Sequence, residues 1–155
     1  MKSSAIMNDS KAISILSVSP LRDDHGALEA ILRHNSGSSF KWKLHTGTTA
    51  QRATALLRID RIPIVICESD LRPGSWRDLL EETAVMAHSP LLIVTSRLAD
   101  ERLWADVLNV GGWDVPAKPF DRTEVIRVVE SAWQHWHAQN RLPAKAQMVA
   151  AAFLV

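Results

Sequence analysis

The stretch that most constrains this chain runs from Ile62 to Trp76, IPIVICESDLRPGSW. Residues 62–66, with Pro63 among them, are otherwise aliphatic and lead into Cys67. An acidic pair, Glu68 and Asp70, stands where the apolar character stops, and Pro73-Gly74 then turns the chain. A short apolar run bounded by turn signals fits a strand buried on both faces, as in parallel sheets. Carboxylates at the carboxyl end of such a strand lie where open α/β sheets place their ligands.

The flanking sequence supplies matching units on both sides. AISILSVSP, residues 12–20, reads as a strand ended by Pro20. A helix is expected over 21–35, with Asp23 and Asp24 in its first turn as solvated charges and Leu28, Ile31 and Leu32 at helical spacing. FKWKL, residues 40–44, alternates apolar and basic residues in the manner of an edge strand with one wet face. Thr46 to Thr49 offer capping oxygens for a helix over 50–59, and Trp76 opens another that runs to Met86. SPLLIVTS, residues 89–96, is a second aliphatic strand. Asp100 to Asn109 reads as a helix closed by Gly111-Gly112. WDVPAKPF, residues 113–120, reads as a short last strand, its two prolines suiting a sheet edge. Asp121 caps a final helix expected to reach Gln139, with Val125, Ile126, Val128, Val129, Ala132 and Trp133 along its apolar stripe.

Strand and helix thus alternate five times, which implies an α/β fold with a parallel sheet, helices on both faces and right-handed crossovers. The expected organisation is a leader over 1–10, a single domain over 11–140 and an extension over 141–155. The chain of 155 residues is long enough for a core without disulfides, and its lone cysteine permits no internal disulfide. Cys67 reads as a small buried hydrophobe. The net charge of +1 gives no nucleic-acid footprint, and Lys41 and Lys43 around Trp42 read as a wet strand face. No run of about 18 apolar residues is present, so no membrane span is expected, and a cytoplasmic location follows by default. The six histidines are scattered without metal-ligand spacing and read as surface residues. No nucleophile elbow or phosphate-binding glycine loop is present.

The passage VLNVGGWDVPAKPFDRTEVIRVV, residues 107–129, carries a family likeness. It resembles the last helix-strand-helix unit of the CheY-like receiver domain of bacterial two-component response regulators, with Lys118-Pro119-Phe120 at the family's Lys-Pro-Phe signature. The likeness extends over residues 12–137. It implies a flavodoxin-like, doubly wound sheet of five strands in the order 2-1-3-4-5. In that family an aspartate after the third strand accepts a phosphoryl group, two acids after the first strand help hold Mg²⁺, a hydroxyl follows the fourth strand and a lysine the fifth. The logic is a carboxylate nucleophile, a hard cation and fixed positive charge.

Only part of that set is present. Lys118 matches the lysine, and either Thr95 or Ser96 supplies the hydroxyl. Glu68 takes the phosphoacceptor position, with Asp70 the competing candidate. Ser17 and Val18 stand where the acid pair belongs, and a shift of register brings in Ser19 and Pro20. The switch-aromatic position is Val115, with Trp113 two residues earlier. Glu68 paired with Lys118 therefore reads either as a permanent stand-in for a phosphoryl-aspartate or as a structural ion pair.

On the resemblance, the chain is expected to be a stand-alone, atypical receiver-like module without enzymatic activity, metal or cofactor. It would act through a protein partner of a bacterial signalling pathway or through self-association as a homodimer. Trp113, Trp133 and Trp136 are the expected interaction face, with MVAAAFLV, residues 148–155, either folding back over it or pairing with another subunit. Trp104 and Trp133 are expected to face the core. The alternatives are a phosphotransfer-competent receiver using Asp70, with metal ligands from Asp23 or Asp24, and a small-ligand binder at the carboxyl edge of the sheet.

Overall fold

Four parallel strands build the sheet, in the order β2-β1-β3-β4. They are β1 (Ile13–Val18), β2 (Trp42–Gly47), β3 (Ile64–Glu68) and β4 (Leu91–Thr95). Between and after them lie α1 (Arg22–Arg33), α2 (Ala50–Ile59), α3 (Trp76–Ala84), α4 (Glu101–Asn109) and α5 (Arg122–Asn140). This computed structural model describes residues 12–34 and 40–141. The expected leader, the loop around Gly37 and the extension beyond Arg141 lie outside the described residues.

The period of two along the strands sorts the core into two halves. Leu16, Val18, Val65, Cys67, Leu92 and Val94 point to the side covered by α2, α3 and α4. Ile15, Ile64, Ile66 and Ile93 point to the side where Leu28 and Leu32 of α1 meet Val125, Val128 and Val129 of α5. All five residues of β3 are buried, as the aliphatic run requires. β2, by contrast, is the half-exposed edge. It begins two residues later than the sequence pattern implies because its pairing partner sets the register: Ile13 opposes Trp42 and Val18 opposes Gly47.

Helix starts follow their capping chemistry. Thr49, Ser75, Asp100 and Asp121 each accept a backbone N–H three residues on, at 3.1, 3.3, 2.9 and 2.9 Å respectively.

The expected fifth strand is not a full one. Residues 113–118 touch β4 through two isolated parallel bridges, Ile93 with Asp114 and Ser96 with Ala117. Lys118 N–H donates to the Ser96 carbonyl at 3.0 Å. Two residues back along both segments, the equivalent donor to Val94 would be residue 116, and Pro116 has no N–H to give. The ladder is interrupted there, so the sheet has four strands where the alternation predicted five.

Two side-chain expectations are also corrected. Trp104 is half in solvent, because α4 turns only Val107 fully inward. Asp24 is buried, not a solvated helix-start charge.

Candidate functional site

Glu68 closes β3 and continues the face carried by Ile64 and Ile66, the face that α1 covers. On α1, Asp24, Leu28 and Leu32 recur at four-residue spacing and are the helix's buried residues. The carboxyl end of β3 and the first turn of α1 therefore converge on one spot. Lys118, delivered by the segment that follows α4 and runs beside β4, fills it.

The Lys118 ammonium donates to Asp24 Oδ2 at 2.8 Å and forms an ion pair with Glu68 Oε2. The lysine side chain is 5% exposed, that of Asp24 11% and that of Glu68 8%, so little water screens the three charges. Asp24 Oδ2 also accepts from the Ser19 hydroxyl at 2.6 Å. Glu68 Oε1 accepts from the Asp70 backbone N–H at 3.2 Å and from the Ser69 hydroxyl at 3.4 Å. Glu68 Oε2 takes no hydrogen bond from any described residue, so its counter-charge is the lysine alone.

A second set of polar contacts fixes the end of β1. His25 Nε2 lies 2.9 Å from the Ser19 carbonyl, which can only accept, so that nitrogen carries a proton. Its Nδ1 lies 2.8 Å from the Ser17 hydroxyl. Ser17 and Ser19 are buried, and the Ser19 hydroxyl also accepts from Leu21 N–H at 3.1 Å. His25 is thus a half-buried pin rather than a surface histidine. His88 is another, held at 2.9 Å from Asn140 Oδ1.

The remaining candidates divide. Thr95 opposes Glu68 in the β3–β4 ladder and is buried. Ser96 is buried too, and its hydroxyl accepts from Leu98 N–H at 3.0 Å, shaping the turn into α4. Val18 is core. Asp70 is exposed and pairs with Arg72 at 3.1 Å in solvent, not with Lys118. Asp23 is exposed. Among the described residues no three His, Cys, Asp or Glu side chains form a metal-ligand group.

The three tryptophans lie apart from this site. Trp136 is buried and donates to the Ser89 carbonyl at 3.1 Å. Trp133 stacks on it with centroids 5.8 Å apart, and Trp113 packs on His135 at 4.8 Å. Trp113 and Trp133 remain partly exposed.

Asp24 is the site residue that sequence reasoning placed in solvent, naming it otherwise only as an alternative metal ligand. Its signal was present in the four-residue spacing to Leu28 and Leu32, which places it on the inward stripe of α1.

Burial, and then the Glu68 charge beside it, push the Cys67 thiol from 9.0 up to about 12. Native protein is therefore expected to resist a thiol reagent at pH 8, labelling only as fast as the fold opens. The unfolded thiol ionises above about pH 9 while the folded one holds its proton to about pH 12. Between those values the unfolded state binds fewer protons, so stability falls as pH rises. Cys67→Ala should remove that part of the alkaline slope in denaturation curves at pH 8 and 10.

The sheet order defines a doubly wound, flavodoxin-like α/β fold. No family model matches the sequence, and no relative is found among curated proteins. Solved structures do match. The signal receiver domain of an HD domain-containing protein from Pseudomonas fluorescens Pf-5 is 25% identical, with a TM-score of 0.71 over 85% of this chain and 95% of that one. The chemotaxis response regulator CheY4 of Vibrio cholerae is 10% identical, with a TM-score of 0.68 over 78% of this chain and 98% of that one. The beryllofluoride-activated NtrC4 receiver domain dimer is 15% identical, with a TM-score of 0.70 over 79% and 98% respectively. The structural neighbours are thus response-regulator receiver domains. No helix among the described residues is long and apolar enough to cross a membrane.

Proposed function

We propose that this chain is an atypical receiver-like signalling module that works by protein contact, without phosphorylation and without a bound metal. One observation carries the reading: the Lys118 ammonium is already held by two buried carboxylates, Glu68 and Asp24. A lysine placed to meet phosphoryl oxygens has its charge consumed within the fold. Glu68, at the end of β3, supplies a fixed negative charge where a phosphorylated side chain would bring a new one. No acid stands at Ser17, Val18, Ser19 or Pro20 to recruit a divalent ion. The module has no catalytic role in this reading, and its state is set at folding.

The phosphotransfer alternative places the acceptor at Asp70, which faces solvent and Arg72. In-line transfer depends on several charges held together, and none of the pocket residues contacts that side chain. The ligand-binding alternative needs a cavity of about 300 Å³ or more. At the carboxyl edge Asp24, Glu68 and Lys118 are buried against one another, and the cavity of about 10 Å³ lined by Leu28, Ile66, Thr95 and Phe120 lies in the core beneath α1 and α5.

Partner recognition is assigned to the surface near Trp113 and Trp133, either against another protein or a second copy of the chain. The fold neighbour described as a receiver domain dimer is a precedent for that protein alone. Incubation with acetyl phosphate and Mg²⁺, read by intact mass, is expected to add no phosphoryl group. A Mg²⁺-dependent phosphoryl adduct abolished by Asp70→Asn would overturn the reading.

A further inference from the structure

The sheet has an open edge that the cluster at Lys118 does not use. β2 ends the strand order and pairs only with β1 among the described residues. The Lys41 and Gly47 carbonyls accept from the Ile13 and Ser19 N–H groups at 2.8 and 3.0 Å, so the odd-numbered positions turn their backbone groups toward β1. The groups of the residues between them point the other way. Trp42, Leu44 and Thr46 therefore line the outer edge with N–H and C=O groups that no backbone group of a described residue meets.

Side chains alternate along the same edge. Trp42 and Leu44 point to the α1 side and are half-buried, and the Phe40 ring lies against Trp42 with centroids 5.8 Å apart. Lys43 projects from the opposite face, and Lys41 precedes it by two residues. Both lysines are exposed, and neither forms an ion pair with a described residue. Beside Trp42 and Leu44 a groove of about 500 Å³ reaches the end of α1. Leu32, Phe40, Trp42 and Leu44 supply its apolar lining, and Lys41 with the Glu29–Arg33 ion pair its charged lining.

An unpaired edge is a template for a further strand. A second copy of this chain is a poor occupant: joined edge to edge about a twofold axis normal to the sheet, the two copies would bring their lysines together on one face. An extended segment that alternates apolar and acidic residues meets each feature. Its backbone continues the ladder at Trp42, Leu44 and Thr46, its apolar side chains lie beside Trp42 and Leu44, and its carboxylates stand opposite the two lysines.

We propose that the free edge of β2 binds such an acidic, apolar-alternating segment of a protein partner by strand addition, with Lys41 and Lys43 recognising its carboxylates. The edge lies at the other end of the strand order from the Trp113 segment beside β4, so this proposal and the preceding one can fail separately.

The probe is a synthetic peptide of alternating valine and glutamate, titrated into the full chain to millimolar concentration and followed by amide NMR. Saturable shifts are expected at Trp42, Leu44 and Thr46, with Trp113 and Trp133 unmoved. Lys41→Glu together with Lys43→Glu, both at exposed positions, should weaken binding about tenfold and confer binding of a valine-lysine peptide instead. Methylating alternate amide nitrogens of the first peptide keeps its charge but removes its ladder donors, and should weaken binding to the native chain to a similar degree. Absence of a saturable shift on β2 would overturn the proposal, as would shifts that survive either the charge reversal or the methylation. β2 signals that move with protein concentration before any peptide is added would assign the edge to a second copy and would also overturn it.

Discussion

Lys118→Met is expected to destabilise the fold by about 3–5 kcal/mol, because it leaves two carboxylates buried without their counter-charge. Lys118 is the only partner of Glu68 Oε2 among the described residues, and Asp24 keeps only the Ser19 hydroxyl once the ammonium is gone. Urea denaturation read by tryptophan fluorescence measures the loss. The companion variant separates pairing from packing. Replacing all three charges together, with Asp24→Leu, Glu68→Leu and Lys118→Met, should recover most of the lost stability, since an apolar set pays no desolvation cost. A lysine that served mainly an exchangeable ligand would behave differently: its removal would be nearly neutral, or would relieve repulsion.

Trp136→Ala should be almost as costly, at about 3–5 kcal/mol, the range for truncating a buried large aromatic. The indole is 7% exposed, its N–H is bonded to Ser89, and Trp133 stacks against it. Thermal or urea denaturation checks the value. The consequence for function is practical. Loss of self-association in Trp136→Ala would report a damaged fold rather than a lost contact. Trp133→Ala, at a partly exposed position, is the variant whose effect in light scattering speaks to an interface.

These two positions show where the sequence was readable and where it was not. The parallel sheet was legible because β3 is an unbroken aliphatic run and strand-helix alternation admits few topologies. Lys118 and Glu68 were legible as edge residues because each directly follows a recognisable strand signal. Three other features depended on tertiary context. The first was Asp24, where the first-turn preference for acids matched a solvated charge equally well, and only packing of α1 on β3 made its spacing to Leu28 decisive. The second was the interrupted fifth strand, which turned on a single missing N–H at Pro116. The third was Trp136, whose inward direction depends on the loop before β4 presenting the Ser89 carbonyl. Trp104 erred the other way: its helical spacing looked core-facing, but α4 buries only Val107.

The paired carboxylates around Lys118 also connect fold to function. They tie the first turn of α1, the end of β3 and the entry to α5 through one buried cation. Such a cluster can fix the relative placement of three elements even where its net contribution to stability is small. In the proposed reading, a module locked in this way presents one surface to its partner and leaves no role for an added charge.

The most direct measurement is a titration of the folded protein with Mg²⁺ and beryllofluoride, followed by amide NMR at Glu68, Asp70, Ser96 and Lys118. The predicted result is unchanged signals at all four positions, with the Lys118 ammonium still on Glu68 and Asp24. Saturable shifts that require Mg²⁺ and disappear in Asp70→Asn would contradict it, and would mean that the cation at Lys118 is free to leave its internal partners for a phosphoryl group.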